Sequence, residues 1–92
     1  GVTEIARGER DRVATPIPDT VRLVLGIAAL EGASAFIVVH NHPSGAARPS
    51  KADAEVTKAI ASAARKMDIL FLDHVVIGVN EFYSFKEHGK IK

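Results

Sequence analysis

Five consecutive apolar residues, Ala35, Phe36, Ile37, Val38 and Val39, lead straight into His40, Asn41, His42 and Pro43, and this juncture constrains the fold more than any other part of the chain. An apolar run without alternation predicts a central strand covered on both sides. Its abrupt polar end puts two histidines at the carboxyl end of a buried strand, where α/β folds carry their sites. The flanking segments supply cover. From Asp19 or Thr20, either of which can cap a helix, Val21, Val24, Leu25, Ala28 and Ala29 recur at three- and four-residue spacings up to Gly32. From Ser50, a second and alanine-rich helix carries Val56, Ala59, Ile60, Ala63, Ala64 and Met67.

Shorter elements complete the pattern. Residues 2–5 read as a strand and 8–11 as a turn, while Pro16 and Pro18 remove backbone donors and mark a connector. Residues 69–72 and 75–77 read as strands, with Asp73 and His74 between them or inside one longer strand. A turn over 78–81 leads to a last strand over 82–85. The expectation is a mixed α/β sheet with two principal helices. At 92 residues there is room for one core, hence one domain over 1–92. The chain opens on glycine inside a strand-like segment, as an amino-terminally trimmed piece of a longer protein would.

Composition removes several kinds of chemistry. There is no cysteine, so thiolate nucleophiles, disulfides and thiolate metal sites are excluded, and any metal must be held by nitrogen and oxygen. Twelve Lys and Arg against eleven Asp and Glu leave a net charge of +1, too little for strong independent nucleic-acid binding. Arg7, Arg10 and Arg12 alternate with Glu9 and Asp11, as on a solvated segment. No apolar stretch reaches membrane-spanning length, and the cytoplasm is the default setting.

In an extended backbone, His40 and His42 point to one side. Two imidazoles need a further ligand, and Asp53, returned by the 43–49 loop to the start of the second helix, is the nearest plausible carboxylate. Two His, one Asp and a water complete a tetrahedral zinc site with an open position, although nitrogen and oxygen donors admit other divalent metals. A plainer reading stands beside it, in which the histidines are polar caps of a strand end. Ser50 and Asp53 likewise match a capping box. Asn41 is expected to adapt the strand end, Pro43, Ser44 and Gly45 to shape the loop, His74 to be a core or supporting histidine, and His88 to be exposed.

His40, His42, Ser50 and Asp53 stand in the order His, any residue, His, seven residues, Ser, two residues, Asp, which resembles the signature of the JAB1/MPN/Mov34 (JAMM) metalloenzymes. The wording His40-Asn41-His42-Pro43-Ser44-Gly45, with Leu72 to Gly78 and Tyr83-Ser84-Phe85, is similar to the RadC-like branch, over about residues 2–89. The resemblance implies a JAB1/MPN-like fold with cytidine-deaminase-like layering, lacking the usual first strand. It implies zinc held by His40, His42 and Asp53, with Ser50 stabilising a tetrahedral intermediate and Glu4 activating the water; Glu9 and Glu31 are the competing bases. The 8–40 interval is longer than the family pattern, and the helix-hairpin-helix module common in such proteins is absent from these residues.

The function so implied is zinc-dependent hydrolysis of a peptide or isopeptide bond, on a peptide or ubiquitin-like protein. Two alternatives remain: a non-enzymatic protein-binding module associated with DNA maintenance, and hydrolysis of a non-peptide amide or nucleic-acid-linked adduct. Oligomerisation through an unpaired sheet edge is a further expectation.

Overall fold

In the computed structural model, residues 16–91 are described. The elements follow as α1 (Ile17–Leu30), β1 (Ala35–Asn41), α2 (Lys51–Lys66), β2 (Leu70–Ile77) and β3 (Phe82–Ser84). The expected mixed α/β architecture, two principal helices on a small mixed sheet of JAB1/MPN type, is what forms. Residues 2–5, expected as a strand, lie outside the described residues, as do Glu4, Glu9 and the three amino-terminal arginines. Among the described residues no helix is long and apolar enough to cross a membrane.

The start of α1 corrects the sequence expectation. Pro16 takes the cap position without a side-chain hydrogen bond, in place of Asp19 or Thr20. Pro18 sits in the first turn, where an N–H is not needed and a fixed φ suits the helix. The prolines that read as a connector thus open the helix. Asp19 pairs with Arg22 on the exposed surface at 2.6 Å. At the other end the chain turns through Gly32 at φ +65°. Ala33 N–H reaches the Ala28 carbonyl and Gly32 N–H that of Ala29, a Schellman ending that needs a left-handed residue at this position.

β1 and β2 are parallel neighbours joined through α2, and β3 returns antiparallel to β2, giving the order β1-β2-β3. β2 contains a bulge: Phe36 faces Phe71 and Ile37 faces Asp73, which leaves Leu72 unpaired. Regular alternation would put Phe71 and His74 on opposite faces. The extra residue changes the phase, so Phe71, His74 and Val76 are all buried. Residues 69–72 and 75–77 are therefore parts of one strand, with Asp73 and His74 inside it.

Val24 and Leu25 of α1, Val56, Ile60 and Ala64 of α2, and Phe71, Val76, Phe85 and Ile91 form the core. Phe36 and Val38 of β1 pack against it. Ile37 and Val39, on the other face of β1, are each 56% exposed. β1 is therefore not covered on both sides among the described residues, and β2 is the middle strand. An unbroken apolar run carries no phase, so it cannot distinguish two buried faces from one.

Candidate metal centre

His40 is the sixth residue of β1, and His42 follows its end. His42 N–H donates to the Ile77 carbonyl at 2.9 Å, which keeps the backbone extended past Asn41 and leaves both imidazoles on one side. Their rings meet edge to face, centroids 4.8 Å apart. Asp53, in the first turn of α2, completes the group and is fully buried.

Ser50 and Asp53 do form the capping box. Ser50 Oγ accepts from Asp53 N–H at 3.0 Å, and Asp53 Oδ2 accepts from Ser50 N–H at 2.8 Å. The cap and the metal reading are compatible, because the box uses one carboxylate oxygen and leaves Oδ1 uncommitted. The Ser50 hydroxyl, occupied as an acceptor, still has its own proton to donate.

The two histidines meet Asp53 differently. His42 Nδ1 lies 2.9 Å from the Ala46 carbonyl, which can only accept, so Nδ1 carries the hydrogen. His42 Nε2 then presents a lone pair to Asp53 Oδ2 at 3.1 Å. Without a proton or a cation between them, lone pair faces lone pair. His40 Nδ1 stands 3.0 Å from Asp53 Oδ1, yet both atoms are buried without a hydrogen-bond partner. Ligand atoms on a tetrahedral zinc with ordinary bond lengths lie roughly 3.3 Å apart. The three residues offer ligand atoms within 4.8 Å of one another, and this donor set fits a divalent cation.

Burial raises the Asp53 pKa, but the His40 ring beside it and the Ser50 backbone and hydroxyl outweigh this and bring it from 3.8 down to about 2. The residue is a carboxylate at neutral pH, as a ligand must be. His74, one strand away, is pushed down by burial from 6.5 to about 4 and is held neutral.

The loop between the histidines and α2 is fastened to the turn between β2 and β3, at the same end of the sheet. Val79 N–H donates to the Gly45 carbonyl at 2.7 Å, and Ala47 N–H to Glu81 Oε1, also at 2.7 Å. A Cβ on Gly78 would collide with the Gly45 carbonyl oxygen and come within 2.8 Å of Ala47 N, so only glycine allows this approach. Ser44 Oγ accepts from Ala46 N–H at 3.3 Å, in keeping with a loop-shaping role.

The structure brings together His40, His42, Ser50 and Asp53. Glu31, a competing base, caps the end of α1 just before β1 begins, at the opposite end of that strand from the histidines. His88 is exposed and stacks on Tyr83 at 4.0 Å between centroids. His74 is buried as expected, though its Nε2 has no partner. Sequence reasoning missed Thr57, which bonds to His74, and Glu81, which holds the loop. Thr57 carried a signal, one turn after Asp53 on the same helix face; Glu81 carried none.

Residues 2–90 match the family model described as RadC-like JAB domain. A UPF0758 protein of Burkholderia cenocepacia is 43% identical over 86 residues, 94% of this chain and 32% of that protein. One from Burkholderia thailandensis is 41% identical over 88 residues, 96% of this chain and 32% of the relative. One from Flavobacterium johnsoniae is 44% identical over 69 residues, 75% and 30% respectively. The chain thus spans about a third of the length of these curated relatives. Its His-His-Asp group, buried at His42 and Asp53 and half-buried at His40, occupies the ligand positions of the JAMM signature, and the chain belongs to the RadC-like JAB domain family.

Proposed function

We propose that this domain hydrolyses a peptide or isopeptide bond in a cytoplasmic peptide or ubiquitin-like protein, using a zinc ion held by His40, His42 and Asp53. One observation carries the reading: the His42 Nε2 lone pair and two orphaned buried atoms, His40 Nδ1 and Asp53 Oδ1, converge on one spot. A zinc ion there would polarise a carbonyl and make water acidic enough to attack it near neutral pH. Ser50, whose hydroxyl proton is free of the cap, would donate a hydrogen bond to the oxygen on which negative charge develops. Glu4 would serve as the base for that water and return the proton to the leaving amine. Ala46, through its carbonyl, keeps His42 in the tautomer that leaves Nε2 free.

The first experiment is elemental mass spectrometry of the tag-free 92-residue chain after one equivalent of zinc is offered and the excess removed. About one zinc retained per chain is expected, and essentially none would overturn the metal reading. Glu4→Gln is expected to keep the metal and lose turnover. A second reading, a protein-binding module, draws support from the exposed apolar residues Ile37, Val39 and Phe82 on the sheet. It predicts partner capture that persists when Asp53→Ala has abolished metal retention.

A further inference from the structure

Three buried side-chain atoms among the described residues lack a hydrogen-bond partner: His40 Nδ1, Asp53 Oδ1 and His74 Nε2. The first two belong to the metal centre. His74 lies on β2 opposite Val38, with its ring 6.2 Å from that of His40 and stacked on Phe85 at 4.9 Å. Only 1% of it is exposed. An imidazole in such a place, with one nitrogen unpaired, is costly compared with an apolar side chain of similar size.

Its other nitrogen makes a specific connection. His74 Nδ1 is 2.6 Å from Thr57 Oγ1, and Thr57 Oγ1 donates to the Asp53 carbonyl at 2.8 Å. A hydroxyl has one proton to give. With that proton on the Asp53 carbonyl, the hydrogen between Thr57 and His74 belongs to the histidine. His74 therefore carries its hydrogen on Nδ1, and the bare Nε2 is the consequence of that commitment.

We propose that His74 and Thr57 are positioning residues for the metal centre, holding the first turn of α2 against β2 so that Asp53 stands at the right height beside His40 and His42. The histidine ligands are placed by β1, which is paired with β2 from Ala35 to Asn41. Asp53 is placed by α2. The capping box orients its carboxylate within the helix, whereas the His74–Thr57–Asp53 chain ties the helix turn itself to the sheet. This inference rests on the metal reading above.

The test uses zinc alone as the probe, its affinity measured by competition with a chromophoric chelator on the 92-residue chain. Thr57→Val removes the hydroxyl at nearly constant shape and is expected to weaken zinc binding about tenfold, the scale typical of outer-shell partners. Thr57→Ser restores the hydroxyl and is expected to bind within about threefold of wild type. His74→Leu fills the site better than His74→Asn, but only asparagine keeps a donor near the position of Nδ1; the asparagine variant is expected to bind zinc the more tightly despite its looser packing. Ile60→Val serves as a control for general loosening of α2, with affinity unchanged. Equal zinc affinity in wild type and Thr57→Val, or an equal loss in Ile60→Val, overturns the positioning role while leaving the metal centre standing. Failure of the wild-type chain to bind zinc overturns both.

Discussion

Ser50 and Asp53 exchange hydrogen bonds across the start of α2, and the exchange consumes only one of the two Asp53 carboxylate oxygens. The same aspartate thereby stabilises a helix and faces two histidines. Ser50→Ala is expected to destabilise the fold by about 0.5–2 kcal/mol through loss of the cap and to change zinc affinity little. Asp53→Ala keeps the backbone N–H that Ser50 Oγ accepts, and is expected to lose the reciprocal bond from Ser50 N–H together with tight zinc binding. Urea denaturation of the metal-free proteins, alongside zinc titration, separates the two effects; wild-type zinc affinity in Asp53→Ala would remove this residue from the ligand set.

Stability of the metal-free chain should fall on mild acidification because of His74. Its folded pKa of about 4 lies below the ordinary 6.5, so between those values the unfolded chain binds a proton that the folded one does not. Stability therefore rises with pH across that window, by on the order of 3 kcal/mol in total, and is flat below it as far as this group is concerned. Asp53 acts at lower pH: its contribution is complete above 3.8 and is lost as pH falls through about 2. Urea midpoints at pH 7.5, 5.5 and 4 measure the histidine's share, and His74→Leu should flatten the profile. An unchanged profile in that variant would place the sensitivity elsewhere.

Gly78→Ala should disturb the metal centre from outside it. The added methyl would strike the backbone of Gly45 and Ala47, which have no side-chain freedom to yield. A loss of about 1–3 kcal/mol is expected, together with weaker zinc binding, because the displaced loop carries the Ala46 carbonyl that orients His42. Gly26→Ala, in the interior of α1 with open space around it, should instead stabilise by about 0.5–1 kcal/mol. Thermal melts of the pair test the contrast.

Glu81→Ala should leave the N–H of the buried Ala47 without its acceptor, at a cost of about 1–3 kcal/mol. Amide hydrogen exchange at Ala47 reads this directly. Faster exchange there, with protection of Ile60 in α2 unchanged, is the expected pattern; unchanged exchange at Ala47 would show that the clamp does not hold in solution.

What could be read from the sequence was what depends on short-range spacing. His40 and His42 at an interval of two, and Ser50 and Asp53 at an interval of three, translate directly into shared faces of a strand and a helix turn. Their meeting point was legible because the 43–49 loop is short. The error at α1 arose from treating Pro16 and Pro18 as breakers, when the first turn of a helix accepts proline. The error at β1 arose because Ile37 and Val39 are apolar yet exposed. Contacts set by long-range register leave little local pattern: nothing near Ala47 points to Glu81, and the place of Thr57 one turn after Asp53 marks its helix face but not its partner His74.

Among the described residues, the bulge in β2 marks the one place where this sheet can change length without changing sides. Leu72 has no partner on β1, and the pairs on either side of it, Phe36 with Phe71 and Ile37 with Asp73, already alternate as a regular ladder would. Deleting Leu72 would close the ladder and leave Phe71, His74 and Val76 facing inward. Deleting a single residue further along, between Asp73 and Val76, would turn part of the strand inside out. The strand behind the metal centre thus has a single point of slack, and it lies two residues before the buried His74.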